Sequence, residues 1–269
     1  MNLHLTASGL ALASLLASCT ATFEPAEIEP TPQRPRISKN TKTTAEDSIE
    51  LEAGLHWDPN DFLDSPVTLK YGLTESMEYF IETAPVRVVD EFDGSESGFG
   101  DLAFGLRHRF DNGEDGGPKF AYEAVGKIPT GDEPDGRGTG GRDLRLPTFF
   151  SGGTDFRLAG IIEQSQGDID IVGYGAVQAN GSTFGGTVYQ LLLASHAAMP
   201  ITDADTVFAE IVGTFTEGAS SEFLAQAGIY RRIAANMTAD AAFGLGLERD
   251  APAFFIMLGL TTNFGYVRQ

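Results

Sequence analysis

From Ser48 almost to its end the chain alternates apolar and polar residues, and nothing else in it constrains a fold so tightly. Ile49, Leu51, Ala53, Leu55 and Trp57 fall on one parity, with Glu50, Glu52 and His56 on the other. Residues 98–110, GFGDLAFGLRHRF, repeat the pattern: Leu102, Phe104, Leu106 and Phe110 oppose Asp101, Ala103, Gly105, Arg107 and Arg109. A period of two belongs to a β-strand whose two faces meet different surroundings. The pattern recurs in residues 67–73, 77–82, 120–128, 156–163, 169–171, 189–199, 207–215, 223–229, 243–248 and 254–264. No helical period of comparable length follows the first residues. The expectation is an all-β chain of about twelve strands, each near the length a tilted membrane strand needs.

Alternation alone does not say which face looks inward. Turned in, the apolar faces of about twelve strands would enclose a lumen too wide for Leu, Phe and Ile to fill. Turned out, they meet lipid, and the polar faces meet one another across a hydrated lumen where opposite charges pair between strands. The second arrangement predicts a closed antiparallel transmembrane β-barrel over residues 48–269. Trp57, Tyr71, Phe99, Phe110, Phe264 and Tyr266, near strand ends, suit interfacial girdles. Short turns at 74–76, 165–168, 202–205 and 233–236 alternate with other connections, among them 90–98 and 130–153, as in outer-membrane barrels. An even strand count puts both termini on the periplasmic side.

The N-terminus carries an apolar run, residues 10–17, ending in Leu16-Ala17-Ser18-Cys19, a signal peptide over residues 1–18 that resembles the lipobox of bacterial lipoproteins. Two readings stay open: acylation at Cys19, or cleavage near Ala21 with Cys19 discarded. Cys19 is the only cysteine, which excludes an internal disulfide. Residues 19–47, rich in Pro and charge and without apolar period, read as a disordered periplasmic tether. The formal net charge of -20 argues against nucleic acid, whose binding needs a basic surface, and against docking on anionic lipid heads.

Three pieces in order, GFGDLAFGLRHRF (98–110), VGKIPTGD (125–132) and GGTDFRLAGIIEQSQGDIDI (152–171), resemble the outer-membrane barrels of the MetA-pathway phenol-degradation family. The run LKYGLTESMEYFIETAP (69–85) is similar to that family's strand–turn–strand. The resemblance implies a closed barrel of about twelve strands in a bacterial outer membrane, concerned with passage of small, aromatic or hydrophobic molecules. It supplies no catalytic residues.

Motifs for chemistry are weak. Gly136, Gly138 and Gly141 match a phosphate-loop pattern but open no helix. Residues 111–117 lack the closing Glu of a calcium loop. His56, His108 and His196 are not followed two residues on by Ser, Ser195 points away from its neighbour His196, and no metal-ligand spacing occurs. No catalytic residue, metal or cofactor is expected. The candidates that remain line the lumen: Glu50, Glu52, Lys70, Glu78, Glu82, Asp101, Arg107, Arg109, Glu123, Lys127 and Arg157. Two readings of them stand: a charge ladder that sets pore size and field, or pairs that plug and rigidify the barrel. The expected function is a passive channel or uptake route, with a plugged structural or surface-interaction barrel as alternative and a soluble periplasmic β-sandwich lipoprotein as a further rival. The expected partners are outer-membrane lipid and lipopolysaccharide, a small-molecule solute and the barrel assembly machinery.

Overall fold

The structure, a computed structural model, describes residues 23–24, 27–59, 62–91, 94–110, 117–132, 153–181, 186–248 and 251–267. Twelve antiparallel strands form the wall. They are β1 (Ser48–Asp58), β2 (Phe62–Asp64 and Val67–Thr74), β3 (Met77–Thr83 and Arg87–Glu91), β4 (Gly94–Gly98 and Leu102–Phe110), β5 (Lys119–Ile128) and β6 (Asp155–Gln166). Then follow β7 (Ile169–Gly181), β8 (Thr187–Pro200), β9 (Asp205–Thr216), β10 (Glu222–Ala234), β11 (Met237–Gly246) and β12 (Phe255–Val267). Each pairs with its sequence neighbours, and β12 returns to β1 through Ile256↔Trp57 to Asn263↔Glu50, closing the barrel. Closure leaves no sheet edge within the ring, the condition for a strand protein in hydrocarbon.

Side-chain exposure answers the question of which face looks out. Ile211 (60% exposed), Tyr189 and Val177 stand on the outer surface with Phe104, Leu158, Leu193 and Leu258, while Glu50, Lys70, Arg107 and Glu123 are buried inside. The apolar belt therefore faces outward. A water-soluble sandwich with these side chains as its core is overturned.

Strands β2, β3 and β4 are each in two pieces, and proline explains the breaks in β2 and β3. Pro66 and Pro85 have no N–H to give a ladder. Ser65 closes the gap instead: its N–H donates to the Val86 carbonyl (2.9 Å), and the Val86 N–H donates to its Oγ (3.0 Å). Beyond the breaks the outer pieces continue pairing, Arg87↔Gly98 to Glu91↔Gly94. Residues 90–98, expected to be a loop, are thus mostly strand; the connection at 130–153 lies largely outside the described residues.

The inner face is not uniformly polar, as expected; it has two halves. Along β1–β6 it is charged. From β6 to β12 it carries Ile161, Val172, Tyr174, Phe208, Leu224, Tyr230, Phe255 and Met257, all buried in one cluster. Glycines make room for the rings: Phe80 lies opposite Gly105, Phe208 opposite Gly228 and Phe255 opposite Gly244. A Cβ on Gly228 would come within 2.6 Å of the Phe208 ring. Parity assigns a face but not what fills it, so large inner side chains placed across from glycine escape a simple polar-inside rule.

Candidate functional site

On the charged half, strand register brings opposite charges face to face. Glu50 pairs across from Lys70, Glu78 from Arg107, Arg107 from Glu123 and Asp155 from Lys127. Lys70 Nζ lies between Glu50 and Glu52 (2.5 Å to the latter). Arg107 bridges Glu78 (2.7 Å) and Glu123 (2.5 Å), and Arg157 reaches Glu123 at 3.1 Å. Lys127 bridges Asp101 (2.7 Å) and Asp155 (3.0 Å). Buried ions are tolerated only when so matched, because desolvation otherwise costs more than attraction returns.

The lumen is occupied by the chain's own N-terminal segment. Residues 27–47, a strap, enter at the short-turn end, rise to the middle of the barrel near Ile37 and Ser38, and return to the same end before β1. This corrects the expectation of a disordered tether for that part of 19–47. The physical reason is that the backbone finds acceptors on the wall. Glu50 accepts the Thr31 N–H (2.9 Å), and Glu52 accepts those of Gln33 (2.9 Å) and Arg34 (3.1 Å). Glu210 accepts from Ile37 (3.0 Å) and Ser38 (2.7 Å), Glu163 from Thr41 (2.9 Å) and Glu78 from Thr44 (2.6 Å). Hydrogen bonds to carboxylates are the stronger kind, and buried amides need partners. Gln33 ties the two legs together, donating to Asn40 Oδ1 (2.7 Å) and accepting the Asn40 N–H (3.0 Å).

Side chains add specificity. The Arg34 guanidinium lies flat over Gly54 and Gly259, which face each other on β1 and β12, and donates to the Leu258 carbonyl (3.1 Å). A Cβ at Gly259 would sit 2.6 Å from Asp240 Oδ2 and 2.9 Å from Arg34 Nε, so glycine is what lets these charges meet. Arg36 stacks over the Tyr230 ring, 5.3 Å from its centre, and donates to His196 Nε2. With that nitrogen accepting, His196 Nδ1 carries the proton and donates to Ser38 Oγ (2.6 Å), which in turn donates to Glu210. Ser38 is fully buried and its hydroxyl donates to Glu210 while accepting from His196, so this Ser–His–Glu set ties the strap to the wall. Burial depresses the Lys39 ammonium below the ordinary 10.5, and the negative charges of Glu82, Glu52 and Glu123 offset only part of that. Between strap and wall at the short-turn end a cavity of 290 Å³ remains, lined by Arg36, Glu163, His196, Tyr230 and Arg232 among others.

The sequence-derived candidates fall as follows. Glu50, Glu52, Lys70, Glu78, Glu82, Asp101, Arg107, Glu123 and Lys127 are buried in the lumen, and Arg157 is nearly so. Arg109 sits at the rim, its guanidinium donating to the Glu75 carbonyl (3.0 Å). Cys19 lies outside the described residues. Sequence reasoning missed Glu163, His196, Glu210 and Asp240, and the whole strap. The alternation places those four on the inner parity, and the run of Arg34, Arg36, Lys39 and Lys42 with no acid between Gln33 and Thr44 is the signal that stood for the strap.

A closed antiparallel barrel with a lipid-type outer belt and a lumen filled by its own N-terminal strap defines an outer-membrane-type barrel. The chain belongs to the family described as "Putative MetA-pathway of phenol degradation", which matches residues 33–264. That match takes in most of the strap as well as the barrel. Among solved structures it is similar to an outer membrane channel from Pseudomonas putida F1 (TM-score 0.60, 12% identity, 83% of this chain and 97% of that one). It is also similar to the NanC porin (0.54, 7%, 80% and 98%) and the KdgM porin (0.53, 7%, 79% and 98%). At these identities the likeness is one of fold. No curated protein sequence matches the chain.

Proposed function

We propose that the protein is an outer-membrane channel for small molecules whose lumen is held shut by the strap. The observation that carries this is the way the strap is bound. It is seated mainly by hydrogen bonds from its backbone to wall carboxylates, with Ile37 its single apolar side chain in the buried cluster. Water replaces such bonds at modest cost, whereas a packed core resists displacement. The wall's own ion pairs lie between strands and survive when the strap leaves. Family membership and the fold shared with channels and porins support the reading, and the family's description makes aromatic compounds the first solutes to try.

In this reading the short-turn end, with both termini, faces the periplasm, the outer belt contacts membrane lipid and lipopolysaccharide, and insertion uses the barrel assembly machinery. Acylation at Cys19 would add an anchor on that side. Carbonate washing after Cys19→Ala leaves the protein in the membrane if the barrel itself is integral. The central test is conductance in planar bilayers with solute uptake in deletion strains. Wild type is expected to show rare openings that become frequent when strap contacts are removed. Silence from wild type and strap-weakened protein alike, with unchanged uptake on deletion, defeats the channel and leaves the plugged structural barrel, which the burial of the strap favours.

A further inference from the structure

The strap reports what the lumen is built to hold. Lys70, Arg107 and Lys127 are each engaged by two wall carboxylates, and Arg157 shares Glu123 with Arg107. Among the described residues, none of these four wall cations is left over for Glu163, Glu210 and Asp240. Among the described residues Glu163 and Glu210 bond the strap, Glu210 also taking the Gln226 amide. Asp240 is 5% exposed, and neither of its carboxylate oxygens has a hydrogen-bond donor; the Arg34 guanidinium comes down beside it over Gly259. Glu82 Oε2 is likewise without a hydrogen-bond donor. Glu163, Glu210 and Asp240 lie on the strands of the aromatic half itself, Asp240 in register with Tyr230, and there Tyr230 takes the Arg36 guanidinium on its ring face and the buried cluster takes Ile37.

The occupant is thus cationic groups joined to apolar ones, with N–H donors along the chain, and the site is complementary to each part. Removing it strands Glu163, Glu210 and Asp240 in a low-dielectric lumen without an ion-pair partner among the described wall residues, a state that draws in cations and repels anions. Resting on the channel reading above, we propose that the opened lumen selects organic cations, a protonated amine or guanidinium on an apolar body, and that the strap is the intramolecular stand-in for such a solute. The 290 Å³ cavity beside Arg36, Glu163 and Tyr230 is the part of that site already free, close to the lower end of ordinary small-molecule sites.

The experiment uses the full chain with Arg34→Glu and Arg36→Glu, which sets like charge against Glu52 and Asp240 and expels the strap. Beside it runs Ser38→Pro with Thr41→Pro, which removes the amide donors to Glu210 and Glu163 without adding charge, and which serves alone if the first variant does not fold. Probes are benzylamine, benzyl alcohol and benzoate, one ring with three charges, and a synthetic peptide of residues 33–44. Calorimetry in detergent reads binding, and bilayers read permeability. Protonated benzylamine and the peptide are expected to bind at least about tenfold tighter than benzyl alcohol, with benzoate excluded and potassium preferred over chloride by about tenfold. Equal binding of amine and alcohol, or preference for chloride, overturns the proposal. The two readings fail separately: ranked binding without conductance sinks passage and keeps the cation site, whereas conductance without ranking sinks the cation site and keeps passage.

Discussion

Replacing Glu210 by Ala isolates the latch. This carboxylate takes the Ile37 and Ser38 amides at 3.0 and 2.7 Å and the Ser38 hydroxyl besides. A hydrogen bond to a charged group contributes about 1.5–3 kcal/mol, so the two amides alone represent about 3–6 kcal/mol of seating. Water entering the lumen recovers part of that, and a net loss of about 2–3 kcal/mol is the working figure. At about 1.4 kcal/mol per factor of ten, the displaced fraction of the strap rises about 30- to 150-fold.

Hydrogen–deuterium exchange followed by mass spectrometry reads this without a label. Peptides covering residues 31–44 are expected to exchange faster by that factor in Glu210→Ala, while peptides from β8, β9 and β10 keep their protection. Glu210→Gln retains one acceptor and falls between. Two results refute the reasoning. Unchanged exchange in the strap means that Glu210 does not hold it. Parallel loss of protection in the strands means that Glu210 supports the barrel rather than the latch.

Gly259→Val fills the space shared by Arg34 and Asp240 and is expected to unseat the first leg of the strap, raising open-channel frequency while the protein still migrates as a folded barrel before heating. Ile211→Arg puts a charge on the outer belt at mid-strand, with an expected cost of about 2–4 kcal/mol in denaturant titrations in liposomes, and no change in strap exchange. For Lys39 the sign follows from burial, which lowers its pKa in the seated strap relative to 10.5 when displaced. The displaced form then binds more protons between the two values, so seating strengthens as pH rises through that window. Open frequency is expected to fall as pH rises toward 10.5 in wild type but not in Lys39→Met.

Much of the wall was readable because a period of two is a local property. Once Leu102, Phe104 and Leu106 face lipid, Ala103, Gly105 and Arg107 must face in, and register then sets Arg107 against Glu78 and Glu123. The strap was not readable by that means. Its bonds come from backbone N–H groups, which every residue has, and they end on carboxylates far away in sequence, Ile37 to Glu210 across 173 positions. High charge and proline in residues 19–47 signal poor burial of apolar surface, and the strap indeed buries little. What composition rules miss is that a lumen lined with acids offers an ordered place to a segment that could form no core of its own. The aromatic half of the lumen was hidden for a related reason: Phe208, Tyr230 and Phe255 sit at inner parities, where alternation gives a direction but not a neighbour.

The uneven spread of charge ties these observations together. The chain carries a formal net charge of -20, yet residues 33–44 hold only cations. Lys70, Arg107 and Lys127 pair with wall carboxylates between strands, and the strap shares Glu50, Glu52 and Glu78 with those pairs while it alone meets Glu163, Glu210 and Asp240. Barrel stability and strap seating therefore share Glu50, Glu52 and Glu78 but separate at Glu163, Glu210 and Asp240, which serve the strap without a wall ion pair among the described residues. A perturbation at Glu210, Asp240 or Gly259 shifts the strap at nearly constant barrel stability, and a perturbation at Lys127 does the reverse, leaving Asp101 and Asp155 unmatched at a cost of about 3–5 kcal/mol in the wall. That separation is what allows one chain to be both a durable membrane barrel and a lumen whose occupancy can change.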